Sequence, residues 1–339
     1  MKKTDTSTSQ RGHLHGRDTP AVSVIVVTWN YGRFIRSALE SLFDQTYQHF
    51  EVIVVDDGST DDTATILRPY LDRITYLRTE HRGHTAARNE GIEASRGRYL
   101  CFFDADDICV PEKLEVQTSF MNRHPEVDFV FSDFCTFNEE GVLSPSAMAG
   151  AKRFQRIPYV RGGVHRIFQE SLFDAYLREN FIFPGSLLVR REYALRVGVF
   201  DETVKAKIFY SKFIQTIGDA NVAYADKVLV KRRMHKESLS KKEEVVEHAW
   251  IQLYGKFLEN RTDALKLRHR FLIRLRVSRS YWRLGCAAVR NSQVGQGRRF
   301  LRQSLTTWPF QRLAYAGLLA TLLPRRSELV SALRRMKWP

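Results

Sequence analysis

The sequence predicts an α/β domain built on a mostly parallel central sheet flanked by helices, followed by a C-terminal basic α-helical extension. Short β-branched runs alternate with segments of helical apolar spacing from Ala21 onward, which is the pattern of a parallel sheet with crossover helices. Two of those runs end directly in aspartates, Asp56-Asp57 and Asp104-Ala105-Asp106-Asp107, and the carboxyl ends of strands are where open α/β sheets bind ligands. Charge sets off the rest of the chain. Residues 241–339 hold 21 Lys+Arg and 6 Asp+Glu, whereas residues 1–240 hold 32 of each, so the net +15 lies wholly in the last 99 of 339 residues.

Val22 to Val27 (VSVIVV) is apolar apart from Ser23, as a strand covered on both faces requires. Phe34, Ile35, Ala38, Leu39, Leu42 and Phe43 recur at helical spacing, and Glu51 to Val55 (EVIVV) supplies the second strand of a β-α-β unit. Thr60, Asp61 and Asp62 form a helix start before Ala64 to Leu71, because short acceptors and negative charge suit free N–H groups. Ile74 to Leu77 gives strand three, Thr85 to Ala94 a helix and Tyr99 to Phe103 (YLCFF) strand four. Glu112 to Asn122 follows as a helix and Phe129 to Phe131 as strand five. Ser144 to Gly163 is rich in Pro, Gly and Arg and reads either as a flexible active-site loop or as a linker. Order returns at Phe168 to Leu177, then at strands Gly185 to Arg190 and Val222 to Val230, and the first domain closes near Leu239. Beyond it, Leu267, Phe271, Leu275 and Trp282 define an apolar helical stripe with Lys266, Arg270 and Arg274 beside it. The expected division is a disordered polar tail over 1–20, a domain over 21–240 and the basic helical extension over 241–339.

With 43% hydrophobic and 27% charged residues the chain is neither disordered throughout nor collagen-like. Cys101, Cys109, Cys135 and Cys286 are too far apart for a zinc ribbon or a disulfide framework, which points to a reducing, cytoplasmic setting. Residues 1–19 contain no apolar segment of the secretory kind, and Leu313 to Leu323 is about half the roughly 20 residues a spanning helix needs. No Walker loop, strand-associated G-x-G-x-x-G or G-x-S-x-G elbow is present, which removes kinases, dinucleotide enzymes and α/β-hydrolases. A nucleic-acid enzyme would carry its basic charge around a cleft, so no nucleic-acid partner is expected.

Asp104 and Asp106, one residue apart after a strand, either chelate Mn2+ or Mg2+ carrying a diphosphate or form an acidic turn. Their context decides. Val26-Val27-Thr28-Trp29-Asn30-Tyr31, Val54-Val55-Asp56-Asp57-Gly58-Ser59-Thr60, Ala86-Ala87-Arg88-Asn89-Glu90-Gly91 and Phe102-Phe103-Asp104-Ala105-Asp106-Asp107, in that order, resemble the inverting family 2 glycosyltransferases of GT-A fold. The resemblance covers Val22 to about Ser132. It implies that Thr28, Asn30 and Tyr31 line the nucleotide, that Asp56 accepts from the base imino N–H, and that Asp57 and Arg88 hold the nucleoside. By the same resemblance Asp104 contacts the ribose and Asp106 ligates the metal, which makes these two the catalytic aspartates of a transferase using a nucleotide sugar, with UDP-sugars favoured. The implied acceptor is a glycan or a lipid-linked saccharide. Read by themselves, Asp56 and Asp57 serve equally as an Asx-capped turn with Gly58 and Ser59.

The second half departs from the family pattern. An acidic pair usually precedes the segment that Val222 to Val230 and His235 resemble, and its aspartate deprotonates the acceptor. Gap-free counting puts Ile208 and Phe209 there, and neither takes a proton. Three readings remain: Asp201, Glu202 or Asp219 is the base; the base lies elsewhere; or the protein binds nucleotide sugars with little or no transfer. His81 and His84, at i and i+3, suit solvent or substrate contact better than metal. Tyr281, Gly285, Gly297, Leu301, Leu305 and Pro309 resemble one tetratricopeptide-like helical pair, which cannot bury its own face. Arg268, Arg270, Arg274, Arg276, Arg279 and Arg283 either solvate a helix or hold the protein at an anionic membrane surface, peripheral on the inner face of the plasma membrane.

Overall fold

Seven successive residues from Val22 to Thr28 are buried, which marks a strand covered on both sides. The computed structural model describes residues 9–11, 19–168, 172–198, 200, 202, 220–238, 243–259 and 266–321. The chain divides into two compact units, Met1–Lys236 and Glu237–Pro339.

In the first unit, β1 (Ser9–Arg11), β2 (Val22–Thr28), β3 (Phe50–Asp56), β4 (Thr75–Arg78), β5 (Tyr99–Asp104), β6 (Ile108–Cys109), β7 (Phe129–Asn138), β8 (Gly141–Ser144), β9 (Tyr159–Gly162), β10 (His165–Phe168), β11 (Leu188–Arg190) and β12 (Val222–Arg233) form one sheet. The order is β1-β4-β3-β2-β5-β11-β7-β12-β10-β9, with β6 on β12 and β8 on β7. The block β4-β3-β2-β5 is parallel, as is the long β7-β12 pair. Antiparallel strands join and flank these blocks.

Helix α1 (Gly32–Phe43) buries Phe34, Ile35, Ala38, Leu39 and Leu42, the face its spacing predicts. The next helix is shorter than the sequence pattern suggests: α2 (Thr63–Leu67) gives way to a 3-10 turn over Arg68–Tyr70, because Pro69 lacks an N–H to continue the ladder. Asp62 occupies its N-cap position, and Asp61 Oδ1 just before it accepts from Thr63 N at 3.1 Å. Helix α3 (His84–Ala94) lies close on β2, since a Cβ at Gly91 would come within 2.3 Å of Ile25 Cγ2. Helices α4 (Lys113–Arg123), α5 (Phe173–Arg178) and α6 (Arg191–Val197) complete this unit's described helices.

Two expectations are corrected here. The polar tail contributes β1, which pairs antiparallel with β4; edge pairing uses backbone groups and asks for no apolar pattern. The segment from Ser144 to Gly163 is no linker but part of the first unit. Asp133 Oδ1 accepts from Ala147 N and Met148 N (3.1 Å each), and β9 and β10 form a hairpin turning at Gly163, φ 64°.

The second unit contains α7 (Glu243–Glu259), α8 (Leu267–Arg290), α9 (Val294–Thr307) and α10 (Arg312–Ala320). The α8 and α9 backbones approach closely at glycines: a Cβ on Gly285 would meet Leu301 Cγ at 2.7 Å, and one on Gly297 would meet Val289 Cγ2 at 2.3 Å. Trp282, Cys286, Val289, Leu301 and Ala314 form the core, so α10 supplies the surface that the helical pair needs. The expected stripe on α8 holds in its second half, where Trp282 is buried and Leu275 half-buried, but not in its first. Leu267 and Phe271 are exposed, while Leu272, Ile273 and Val277 face inward, because steps of four residues drift about 40° each around a helix. Leu239 and the stretch from Leu322 on lie outside the described residues. No described helix is long and apolar enough to cross a membrane. All four cysteines are free and buried.

Candidate functional site

Register sets Thr28 beside Asp56 and Val27 beside Asp104, so β2, β3 and β5 end side by side on one edge of the sheet. Successive strands switch sides of β2 at this point, which is where a crevice forms in open sheets. The loops leaving β2 and β3 are tied together. Asn30, at φ 56°, takes the left-handed conformation that asparagine tolerates. Its Oδ1 accepts from Thr60 N (2.7 Å) and Asp61 N (3.3 Å), and its own N–H donates to Ser59 Oγ (2.9 Å). Gly58, at φ 72°, leaves no room for a side chain, since a Cβ would lie 2.8 Å from His81 N.

Asp56 is fully buried; Oδ1 accepts from Ser59 N and Oδ2 from the Tyr76 hydroxyl, both at 2.8 Å. Burial and that carboxylate together push the Tyr76 hydroxyl above its ordinary pKa. Asp57 is also buried, but it faces the chain: Oδ1 accepts from Arg82 N (2.8 Å) and Gly83 N (3.1 Å), and Oδ2 from Gly83 N (2.9 Å) and His81 Nδ1 (2.9 Å). These donors lie in the turn just before α3, so the carboxylate braces the approach to the helix and sets a negative charge near its start. Both Asp57 carboxylate oxygens thus accept from the turn that leads into α3.

One turn before Gly91, Arg88 emerges from α3 only 3% exposed, and its Nη2 donates to Asp104 Oδ1 at 2.8 Å. Asp104, Asp106 and Asp107 have carboxylate oxygens within 4.8 Å of one another, the one such metal-competent group among the described residues. His235 Nε2 lies 3.0 Å from Asp106 Oδ2. Arg233 donates its backbone N–H to Asp107 Oδ1 and its Nε to the Asp106 carbonyl, both at 2.9 Å. Burial beside Asp106 and Asp104 pushes the Asp107 carboxyl well above the usual carboxylate range. Tyr31 meets His235 edge-on at 5.6 Å, and the Thr28 hydroxyl is buried without a hydrogen-bond partner. Thr28, Asn30, Tyr31, Asp56, Arg88, Asp104 and Asp106 thus belong to this one sheet edge and its loops.

Four further contributors complete the site, three of which, Trp29, Asp107 and His235, lie in segments the sequence resemblance already includes. Trp29, 40% exposed, stacks on His81 (4.3 Å between centroids, 16° between planes) and presents a flat aromatic face at the site. Asp107, Arg233 and His235 arrive through β6, which follows the aspartates directly and pairs Cys109 with Val230 on β12. His235's place just after a strand is the signal that could have flagged its role. His81 serves Trp29 and Asp57, so the metal reading of His81 and His84 finds no support in the described residues. Glu202, a candidate base, accepts hydrogen bonds from Asn89 Nδ2 and Arg82 Nη2, 2.9 Å each, which hold its carboxyl below the ordinary glutamate range. Asp201, Asp219, Ile208 and Phe209 lie outside the described residues.

The model of the family described as glycosyl transferase family 2 matches residues 23–195, just over half of the chain. Glycosyltransferases of Rickettsia species are 27–31% identical over 64–72% of this chain, which spans 34–65% of their own length. TuaG of Bacillus subtilis, named for teichuronic acid biosynthesis, is 38% identical over 36% of this chain and 50% of its own. Among solved structures, S. aureus TarS 1–349 with UDP-GlcNAc superposes with a TM-score of 0.62 at 19% identity, covering 92% of this chain and 89% of that one. A Pyrobaculum calidifontis mannosyltransferase with GDP-Man and Mn2+ gives 0.56 at 17% identity, covering 94% and 85%. At such identities the likeness speaks to the fold, and it bears out the GT-A architecture expected from the sequence.

Proposed function

The chain belongs to glycosyl transferase family 2, and on that premise we propose that it transfers a sugar from a nucleotide donor, with a UDP-sugar favoured, to a glycan or lipid-linked saccharide, with inversion at the anomeric carbon. The observation that carries this reading is the sheet edge itself: three aspartates crowded within 4.8 Å, with Arg88 on Asp104 and His235 on Asp106. The UDP-GlcNAc held by TarS supports the donor, and the teichuronic acid role in TuaG's name supports an envelope polysaccharide as acceptor.

The residues fit a divalent cation, Mn2+ or Mg2+. Carboxylate oxygens are the hard ligands such ions prefer, and the Asp107 carboxyl, raised by burial first and by the Asp106 and Asp104 charges second, lies in a crowd of carboxylates that a cation would relieve. Asp106 would hold it, with Asp104, Asp107 and His235 in reach, and it would neutralise charge developing on the departing diphosphate. The Mn2+ of the Pyrobaculum mannosyltransferase supports this. The chain's own groups do the rest. Arg88 orients Asp104 toward the ribose, Asp56 retains a second lone pair on each oxygen for the base imino N–H, and Trp29 offers a face for the base. The base that deprotonates the acceptor has no assignment among the described residues.

Calorimetry of UDP with and without Mn2+, beside a transfer screen over nucleotide sugars, tests the reading. Asp106→Ala should abolish metal-dependent UDP binding and turnover; unchanged UDP affinity would sink the site assignment. Metal-dependent UDP binding by the wild type with no transfer from any donor would instead favour a nucleotide-sugar-binding protein with little or no transferase activity.

A further inference from the structure

Residues 266–321 contain twelve Lys+Arg and no Asp or Glu. The inward turn of Leu272, Ile273, Val277 and Trp282 leaves α8 without a free apolar stripe, so this helix cannot lie flat on a bilayer. Besides Val245 on α7 and Tyr315 and Leu319 on α10, the exposed apolar side chains of this unit gather at one end of the α8–α9 hairpin, around the half-buried Trp308. Leu267, 85% exposed, sits one turn before Phe271. The Phe271 ring lies 4.6 Å from that of Trp308, just past the end of α9, and Trp308 lies 5.6 Å from Phe310, itself 77% exposed. Basic residues border the cluster. Arg270 and Arg274 share a flank with Leu267 and Phe271 by helical spacing, and Lys266 and Arg312 stand exposed beside Leu267 and Phe310 in the chain.

We propose that this end of the hairpin is an interfacial membrane anchor. Leu267, Phe271, Trp308 and Phe310 enter the headgroup and acyl boundary of an anionic lipid surface, while Lys266, Arg270, Arg274 and Arg312 contact the headgroup phosphates. Charge complementarity selects the occupant: a stretch with twelve cations, of which Arg283 is paired with Glu247, and no carboxylate of its own favours an anionic partner, and an apolar tip bordered by cations matches a surface that is apolar beneath an anionic layer. Aromatic rings are the side chains that settle at that depth. The anchor does not depend on the transfer chemistry proposed above, and metal-dependent UDP binding should be the same in every variant below.

The test uses the full chain and vesicles of phosphatidylcholine with and without about 30% phosphatidylglycerol. The wild type should sediment with the anionic vesicles only, release as salt rises toward 0.5 M, and show Trp308 emission quenched by brominated acyl chains, with Trp308→Phe as control. Phe271→Ser with Phe310→Ser, both at exposed positions, should weaken binding about tenfold or more. Arg274→Gln and Arg312→Gln should each weaken it about fivefold. Circular dichroism melts establish that the variants fold. Undiminished vesicle binding by the Phe271, Phe310 double variant overturns the proposal. So does light scattering that shows a wild-type dimer becoming monomeric in that variant, since the patch would then be a subunit interface, and so does preferential binding of single-stranded nucleic acid through the same rings.

Discussion

Asp57 separates what the family resemblance implies from what the structure does with the residue. The resemblance gives its carboxylate to the nucleoside, whereas the structure spends it on Arg82 N, Gly83 N and His81 Nδ1 at 2.8–3.1 Å ahead of α3. Asp57→Ala strands two part-buried N–H groups, at the low end of about 1–3 kcal/mol each, and removes a charge before α3 that contributes about 0.3–1 kcal/mol, so stability should fall by about 2–4 kcal/mol. Asp57→Asn can keep its oxygen toward Arg82 and Gly83, while His81 Nδ1 keeps the Asp57 backbone carbonyl, 3.1 Å away, as its acceptor. The loss should then be about 1–2 kcal/mol, mostly the charge. Urea unfolding measures both, and amide exchange should accelerate locally from Arg82 into α3. Folded Asp57→Asn should keep UDP affinity within about threefold of wild type, since a change under about 0.7 kcal/mol is what a displaced helix transmits when no contact is lost. An Asp57→Asn protein with wild-type stability and exchange that nevertheless loses UDP would refute this reasoning and return the carboxylate to the nucleoside.

Gly91→Ala would drive a methyl to 2.3 Å from Ile25 Cγ2, so it should cost about 1–3 kcal/mol in a thermal melt and lower UDP affinity by shifting Arg88 one turn away; a neutral substitution would mean α3 floats on β2. His165 predicts an acid weakness. Burial, with Arg123 and His124 nearby, pulls its imidazole down to about 4 from 6.5, so between those pH values the unfolded chain takes up the proton first. Its contribution to stability is complete above about pH 6.5 and lost as pH falls toward 4. His165→Phe, able to keep the stack on Phe120 (4.0 Å), should flatten that limb of the Tm profile, and an unaltered limb would show that His165 titrates normally.

The parallel block was legible because its evidence is local: continuous burial writes β2 and β3 as apolar runs, and α1 shows its buried face at the predicted spacing. What escaped was carried by contacts far apart in sequence. No window joins Cys109 to Val230, yet that pairing brings Arg233 and His235 to the aspartates. The α8 stripe held at Trp282 but not at Leu267 and Phe271 for a different reason: every turn of that helix offers apolar residues, and only contact with α9 and α10 decides which are covered.

Four aspartates that look alike in the sequence have four different fates, set by which donors surround each one. Asp56 is shared between a loop N–H and a tyrosine, Asp57 is bonded by the turn before α3, Asp104 is held by a buried arginine, and Asp106 is met by an imidazole. Motif order shows that acidic groups gather at the ends of β3 and β5, but it cannot count the N–H groups facing each oxygen. A carboxylate with spare lone pairs and no backbone donors can serve a ligand, and one saturated by backbone N–H groups cannot do so without dismantling the loop it holds. By that criterion Asp106, bonded through its side chain to a single neutral-capable ring, is the aspartate best placed to take a cation. Asp57 is the least.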